Sequence, residues 1–304
     1  MNYRQSDAEE VFIRDGIKLG VRQDGREALD LRTLMVENNV LPQVNGSSRL
    51  RLGLGTEILC SVKLEISEPS EEAPGRGKLE VSVDINQACV RQQGYQRDEG
   101  KRLGNVGTEM SEFLRNMYVE SGAVDLDALC VIPGKFCWTV FIDVVVLQTD
   151  CNVLDASTLA IFVALDCTRI PKLQLVPGES GGMEDFEVVG DLSQATALPV
   201  HDVPLLVTVH WIGSTALLDA SAEEIACANG TISVAVDAAG CCRSLHKQKI
   251  GAVDVPAIKE AVAMASHAVA SLLPVLTGLK QDAARVANDG VYEDVVPIRQ
   301  GFLF

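Results

Sequence analysis

The sequence predicts an α+β protein made of two halves, each a β-sheet backed by helices. Three observations point there. Short alternating strand patterns separated by turns give way to a helical pattern, and the same order returns in the second half. The stretch from Cys130 to Pro171 reads as a long buried strand, a tight polar turn at Gln148–Asn152 and a helix opening near Asp155. The composition is rich in Gly, Ala and Val and poor in aromatics, and 304 residues suffice for one large or two modest domains.

The elements follow in order. Ser6-Asp7-Ala8-Glu9 matches a capping box, so a short helix is expected through about Asp15. Arg22-Gln23-Asp24-Gly25-Arg26 is a charged turn in which Gly25 can take a positive φ. Asn45-Gly46 is a hairpin signal between Val40–Val44 and Ser48–Leu54, Leu59–Leu64 continues as a strand, and Lys78–Asn86 alternates like a fourth. Gln92–Asn105 reads as a polar loop, after which Val106, Met110, Phe113, Leu114 and Met117 recur at helical spacing. Trp138–Leu147 is a strand and Leu154–Leu165 a helix.

Residues 174–198 carry Glu179, Glu184, Asp185, Glu187 and Asp191 and are read as an acidic connecting loop. Beyond it, Leu205–Trp211, Ser214–Leu218, Thr231–Val236 and Cys242–Lys247 are strands. Asp254 caps a long helix with Pro256 in its first turn, and Pro274 is expected to kink or end it. Glu223-Glu224 are taken as neighbours at a strand end, a solvated or interface-facing charge pair. The expected division is an N-terminal helix and arm (1–31), a first half (32–173), the acidic connection (174–198), a second half (199–280) and a C-terminal tail (281–304).

The acidic, polar N-terminus has the character of neither a signal nor a transit peptide, and no run of about 18 apolar residues is evident, so an intracellular protein without a membrane partner is expected. The nine cysteines include no C-x-x-C pair and the four histidines are dispersed, which argues against a zinc site and for small buried hydrophobes. A net charge of −16 argues against a free-standing nucleic-acid binder while allowing a local basic surface, and it favours basic partners.

Arg22-x-Asp24-Gly25-Arg26, Asn45–Gly53 and Ile58–Lys63 resemble the N-terminal half of the RNase PH family. Cys137–Asp143, Asn152-x-Leu154-Asp155-Ala156, Val163–Pro171 and Leu218–Glu224 resemble in particular the non-catalytic RNase PH-like ring subunits of the RNA exosome, and the likeness runs from about Ser6 to Ala270. The resemblance implies two βαβα-type halves of the ribosomal protein S5 domain 2-like kind. It also implies a six-membered ring of paralogous RNase PH-like subunits around a channel for single-stranded RNA, with RNA-binding cap subunits and an associated hydrolytic nuclease.

Active members of that family hold phosphate with a Thr-Arg pair and use two aspartates six residues apart. Here the pair falls on Val153 and Leu154, and the aspartates fall on Ile225 and about Thr231. Losing the guanidinium removes a bidentate grip on phosphate. Losing the carboxyl removes a proton donor commonly worth ~10²–10⁴ in rate. No catalytic residue, metal ligand or cofactor is therefore assigned.

Arg97, Lys101, Arg102 and Arg115 are the candidate RNA contacts, since the resemblance puts the loop before the first long helix, and that helix's start, on the channel. Gln92, Gln93, Tyr95 and Gln96 add hydrogen-bonding capacity there. Trp138 and Trp211 are expected in the core or at a subunit interface.

The leading expectation is a silent exosome ring subunit serving 3′-to-5′ RNA processing and turnover, including ribosomal RNA maturation, in nucleus, nucleolus and cytoplasm. The alternative is a phosphorolytic exoribonuclease completed by a neighbouring subunit. A phosphotransferase is disfavoured because neither Gly53-Leu54-Gly55 nor Gly181-Gly182 opens a helix.

Overall fold

A computed structural model describes residues 5–85, 99–177, 183–189, 192–248 and 253–289. Helix α1 (Asp7–Lys18) starts at the expected capping box. The Glu9 N–H donates to Ser6 Oγ at 3.3 Å, and the Ser6 N–H donates to Glu9 Oε2 at 2.8 Å.

The first sheet contains β1 (Leu34–Asn38), β2 (Gly46–Leu52), β3 (Thr56–Ser67), β4 (Lys78–Ile85), β5 (Cys130–Ile132) and β6 (Phe136–Gln148). Its order is β1-β2-β3-β6-β4, with β5 paired to β6. The β4–β6 pair is parallel and the others antiparallel. A parallel pair needs a crossover, and α2 (Glu99–Ser121) lies within it and packs back on β4. Burial alternates along β3 and β4, so this sheet has one covered and one wet face.

The Asn45-Gly46 signal has a different role from the one expected. The β1–β2 connection turns at Asn39, whose φ is +53°, and Gly46 already begins β2. A Cβ on Gly46 would lie 2.3 Å from Thr168 Oγ1 and 2.7 Å from the Ala164 carbonyl oxygen, so the glycine permits close contact with a helix. Asn45 is a staple: its Oδ1 accepts from the Leu64 N–H at 2.9 Å, and its Nδ2 donates to the Arg169 carbonyl at 3.2 Å.

That helix, α3 (Val153–Cys167), is buried along nearly its whole length and packs against both the first sheet and a strand of the second. After it, β7 (Arg169–Ile170) pairs with β10 (Thr196–Ala197). Within the segment expected to be a loop, β8 (Leu173–Pro177) and β9 (Met183–Val188) form an antiparallel hairpin. Phe186 packs edge-on against Phe136 with ring centres 5.0 Å apart, giving the hairpin an apolar foothold that the charge pattern concealed.

The second sheet runs β12-β11-β13-β14, all antiparallel: β11 (Leu205–Ile212), β12 (Thr215–Leu218), β13 (Gly230–Val236) and β14 (Cys242–Lys247). Every residue of β11 and β13 is buried. Between β12 and β13 sits a short helix, α4 (Ala222–Cys227), where a strand end was expected.

Helix α5 (Val255–Asp289) passes through Pro274 and beyond residue 280, so the second half and the tail share one continuous element. Its Val255–Gly278 stretch is by length and composition apolar enough to cross a membrane, which corrects the expectation that no such run exists. Ala261, Ala265, Val269, Leu272 and Leu276 are instead buried, and the helix packs on β11 and β13. One continuous core draws on both sheets, α2, α3 and α5, and it contains Trp138 and Trp211. No disulfide joins the eight described cysteines, and Cys89 lies outside the described residues.

Candidate functional site

The two halves meet where α3 begins, and the contact there is polar. Asn152, before the helix, sits at φ +53°, and Asp219, after β12, sits at φ +46°. Asn and Asp tolerate this left-handed region better than other side chains, and here they bond each other. Asn152 Nδ2 donates to Asp219 Oδ1 at 2.8 Å and to the Ala220 carbonyl at 3.1 Å. Both amide hydrogens are thereby used, so Asn152 Oδ1 must accept, and His210 Nε2 lies 3.2 Å from it. Nε2 therefore donates to Asn152, and Nδ1 on the other side of the ring lies 3.2 Å from the Thr231 hydroxyl.

A parallel chain lies one turn further along α3. The Thr208 N–H and hydroxyl donate to the two oxygens of Asp155 at 2.8 and 2.5 Å. With that proton committed, Ser233 donates to Thr208 Oγ1 at 2.7 Å, and Gln248 Nε2 donates to Ser233 Oγ at 2.7 Å. Burial, foremost, and the charge of Asp219 push the Asp155 carboxyl up to about 7, against the lowering by Thr208 and Arg32.

The N-terminal arm closes this junction. Arg32 grips Asp219 through Nε at 2.9 Å and Nη2 at 2.8 Å, and its own N–H donates to Asp219 Oδ2 at 2.7 Å. These bonds and the Asp219 charge outweigh burial, so the guanidinium is raised above its ordinary value. Arg26 adds a contact from Nη1 to Asp219 Oδ2 at 3.2 Å. Arg22 donates to Glu224 from Nε at 3.0 Å and Nη2 at 2.7 Å, with both side chains almost wholly buried.

The cavity left between Arg32, Asp155, Asp219 and the apolar side chains of Leu52, Leu206 and Leu272 is about 30 Å³, a volume on the scale of one water. Val153 and Leu154 open α3, half-buried and buried respectively. An anion approaching that end would meet two carboxylates, and the cation among the cavity-lining residues is already committed to Asp219. Ile225 is half-buried on α4, and the Thr231 hydroxyl is engaged by His210. Among the described residues, no group of three or more His, Cys, Asp or Glu could hold a metal ion.

The RNA candidates fall elsewhere. Arg97, like Gln92, Gln93, Tyr95 and Gln96, lies outside the described residues. Lys101 and Arg102 were expected in a loop extending to Asn105, but they belong to the first turn of α2, which begins at Glu99. Arg115 is exposed on the same helix, and its Nε reaches Glu80 Oε2 at 3.1 Å.

Glu223-Glu224 do not form a solvated pair at a strand end: both lie in the first turn of α4, with Glu223 exposed and Glu224 buried against Arg22. Ser221-Ala222-Glu223-Glu224 is a second capping box, with both reciprocal bonds present. The signature that located α1 was therefore available here, and the apolar strand pattern before it concealed it. Nothing local in the sequence pairs Asn152 with His210 or Arg32 with Asp219, which lie 58 and 187 residues apart.

Comparison with known proteins places this junction in context. The sequence profile of the 3′ exoribonuclease family, domain 1 (RNase PH), matches residues 30–171, and that of domain 2 matches residues 202–268. An exosome complex component Rrp42 from Thermoplasma acidophilum is 32% identical over 259 residues, spanning 85% of this chain and 91% of that protein. One from Thermococcus onnurineus is 31% identical over 250 residues, spanning 82% and 87%. A solved chain described as an archaeal exosome core superposes with a TM-score of 0.70 at 26% identity, covering 89% of this chain and 97% of its own. A chain of an Archaeoglobus fulgidus exosome with RNA bound to the active site gives 0.72 at 27%, covering 88% and 97%. Rice Rrp46, at 15% identity and a TM-score of 0.59, shares the fold. With both family domains matched in order, and relatives aligned over nearly their full length, the chain belongs to the RNase PH-type 3′ exoribonuclease family.

Proposed function

We propose that this chain is a ring subunit of an RNA exosome that shapes the ring and guides single-stranded RNA without an active site of its own. The observation that carries this is the start of α3. Phosphorolysis needs orthophosphate held beside the 3′-terminal phosphodiester and a proton delivered to the departing 3′ oxygen. Val153 and Leu154 offer no charge to that phosphate, Arg32 is committed to Asp219, and Ile225 has no proton to give. The relatives' name, exosome complex component Rrp42, supports the ring assignment.

The partners in this reading are paralogous RNase PH-like subunits, RNA-binding caps and a hydrolytic nuclease, in nucleus, nucleolus and cytoplasm. Purification from the native source at mild salt should yield a six-membered ring of related chains. The isolated chain, given RNA and orthophosphate, should release no nucleoside diphosphate. Release of nucleoside diphosphate by the chain alone would overturn the reading, whereas release by the assembled ring alone would place the chemistry with a neighbour.

Lys101 and Arg102 support RNA guiding, because their charge adds to the positive end of the α2 dipole, with Glu99 as a partial offset. Changing Arg97, Lys101 and Arg102 together to Glu should shorten the RNA protected by the assembled ring and leave its assembly intact. Nuclease footprinting and gel filtration read the two effects separately, and unchanged protection removes these residues from the path.

A further inference from the structure

Helix α1 has two apolar sides, and only one is covered by the described residues. Ile13 and Ile17 are buried against Ile212, Leu217, Cys227 and Ala228 of the second half. Away from that side Phe12 and the C-cap residue Leu19, seven residues apart and so on one face, are 70% and 81% exposed, and Ala8, one turn before Phe12, is exposed on the same face. Val11 at 56% and Val21 at 63% flank that face.

Single exposed hydrophobics need no explanation, but this group is held in place. The helix is fixed at its start by the capping box and at its end by a Schellman motif. Gly20 takes φ +76° and donates to the Ile17 carbonyl at 3.0 Å, and Val21 donates to the Gly16 carbonyl at 2.9 Å. That motif usually packs the residue in the Val21 position on the one in the Gly16 position. A glycine there offers Val21 no side chain to pack on, and Val21 is 63% exposed. Just beyond, Arg22 locks the arm to Glu224.

The surroundings are acidic. Asp7, Glu9, Glu10 and Asp15 share the helix with Arg14 and Lys18, and those two cations are paired internally, to Glu10 at 2.6 Å and Asp15 at 3.1 Å. An acidic rim around an apolar stripe repels RNA, anionic lipid and a symmetric second copy of itself. It complements a basic one.

We propose that the outward stripe of α1, centred on Phe12 and Leu19, docks a different protein chain that presents an apolar recess rimmed by Lys and Arg. The proposal rests on the ring reading in one respect: the partner is then another subunit of the assembly, and α1 is one of the distinct patches that a heterologous contact requires. A rigid helix presenting an aromatic anchor loses little entropy on docking, which suits a central contact residue.

The test uses the full chain in its native assembly. A photo-crosslinking benzoylphenylalanine at position 12 should join to a Lys- or Arg-flanked apolar peptide of another chain. Phe12→Ser should leave the melting temperature of the isolated chain within a few degrees, because the side chain is exposed, and should weaken retention of that crosslinked chain about tenfold or more. Crosslinking to RNA, to this chain's own residues 290–304 or to a second copy overturns the proposal, as does unchanged retention by Phe12→Ser. If the unmodified chain recovers no RNase PH-like neighbours at all, the ring reading has failed. If it recovers them and Phe12→Ser recovers them equally, only the docking surface has failed.

Discussion

Asp155 is a carboxyl group that the fold holds against its own ionisation, and this has a measurable sign. Its pKa rises from 3.8 in an ordinary setting to about 7 in the folded protein, because burial and Asp219 outweigh the bonds from Thr208 and the charge of Arg32. Between those values the folded state binds more protons at this site than the unfolded chain does. Raising the pH from 3.8 to about 7 therefore removes stability, and above about 7 the penalty is complete. Asp155→Asn cannot ionise, so its stability relative to the parent should improve as pH rises through that window and level off above it. Thermal melts of both proteins at pH 5 and pH 8 check this, and a difference that does not move with pH would contradict it. Position 155 was legible in the sequence as the residue behind the turn. Its environment was not, because Thr208 lies 53 residues away on β11 of the other half. Asn45-Gly46 failed for a related reason: the same pair that suits a tight hairpin also suits a close helix contact, and only Thr168 and Ala164 decide between them.

At the scale of elements, a short helix is legible where a polar cap stands alone and is concealed where the cap follows an apolar strand. The α1 box stands clear of any strand pattern, whereas the equivalent box at Ser221 follows directly on the apolar end of β12. The cost was Glu224, which caps α4 and neutralises Arg22 at once. Glu224→Ala leaves a buried guanidinium without its counter-charge, a loss of about 3–5 kcal/mol for pairs of this kind. Replacing both partners with Met should recover a substantial part of that loss, because desolvating two charges is itself costly. Urea titrations of the single and double variants give the comparison. Equal destabilisation in both would mean that the pair and its hydrogen bonds stabilise the arm outright, and little change in either would mean that the apolar contact of α1 holds it. The acidic connection illustrates a second limit, since its charges pointed to a loop while Phe186 anchored a hairpin.

For the whole molecule, the order of elements in each half and the family resemblance were both legible, because strand and helix periods are local properties of the chain. The dependence of the halves on each other was not. Helix α3 closes the first half in sequence, yet it faces β2 and β3 on one side and β11 on the other, within a single core. A fragment ending at residue 198 would expose the side of α3 that meets Leu206 and Thr208, leave Asp155 without its donors and leave Arg22 and Arg32 without Glu224 and Asp219. Such a fragment should lack fixed tertiary packing even though it contains all six strands of the first sheet. Near-ultraviolet circular dichroism and the dispersion of amide resonances report on that packing, and co-expression with residues 199–304 should restore it. A native-like spectrum from the fragment alone would show that the polar junction is an interface between independent domains. A disordered fragment rescued by its complement would mean that the polar seam between the halves is part of what holds the subunit together.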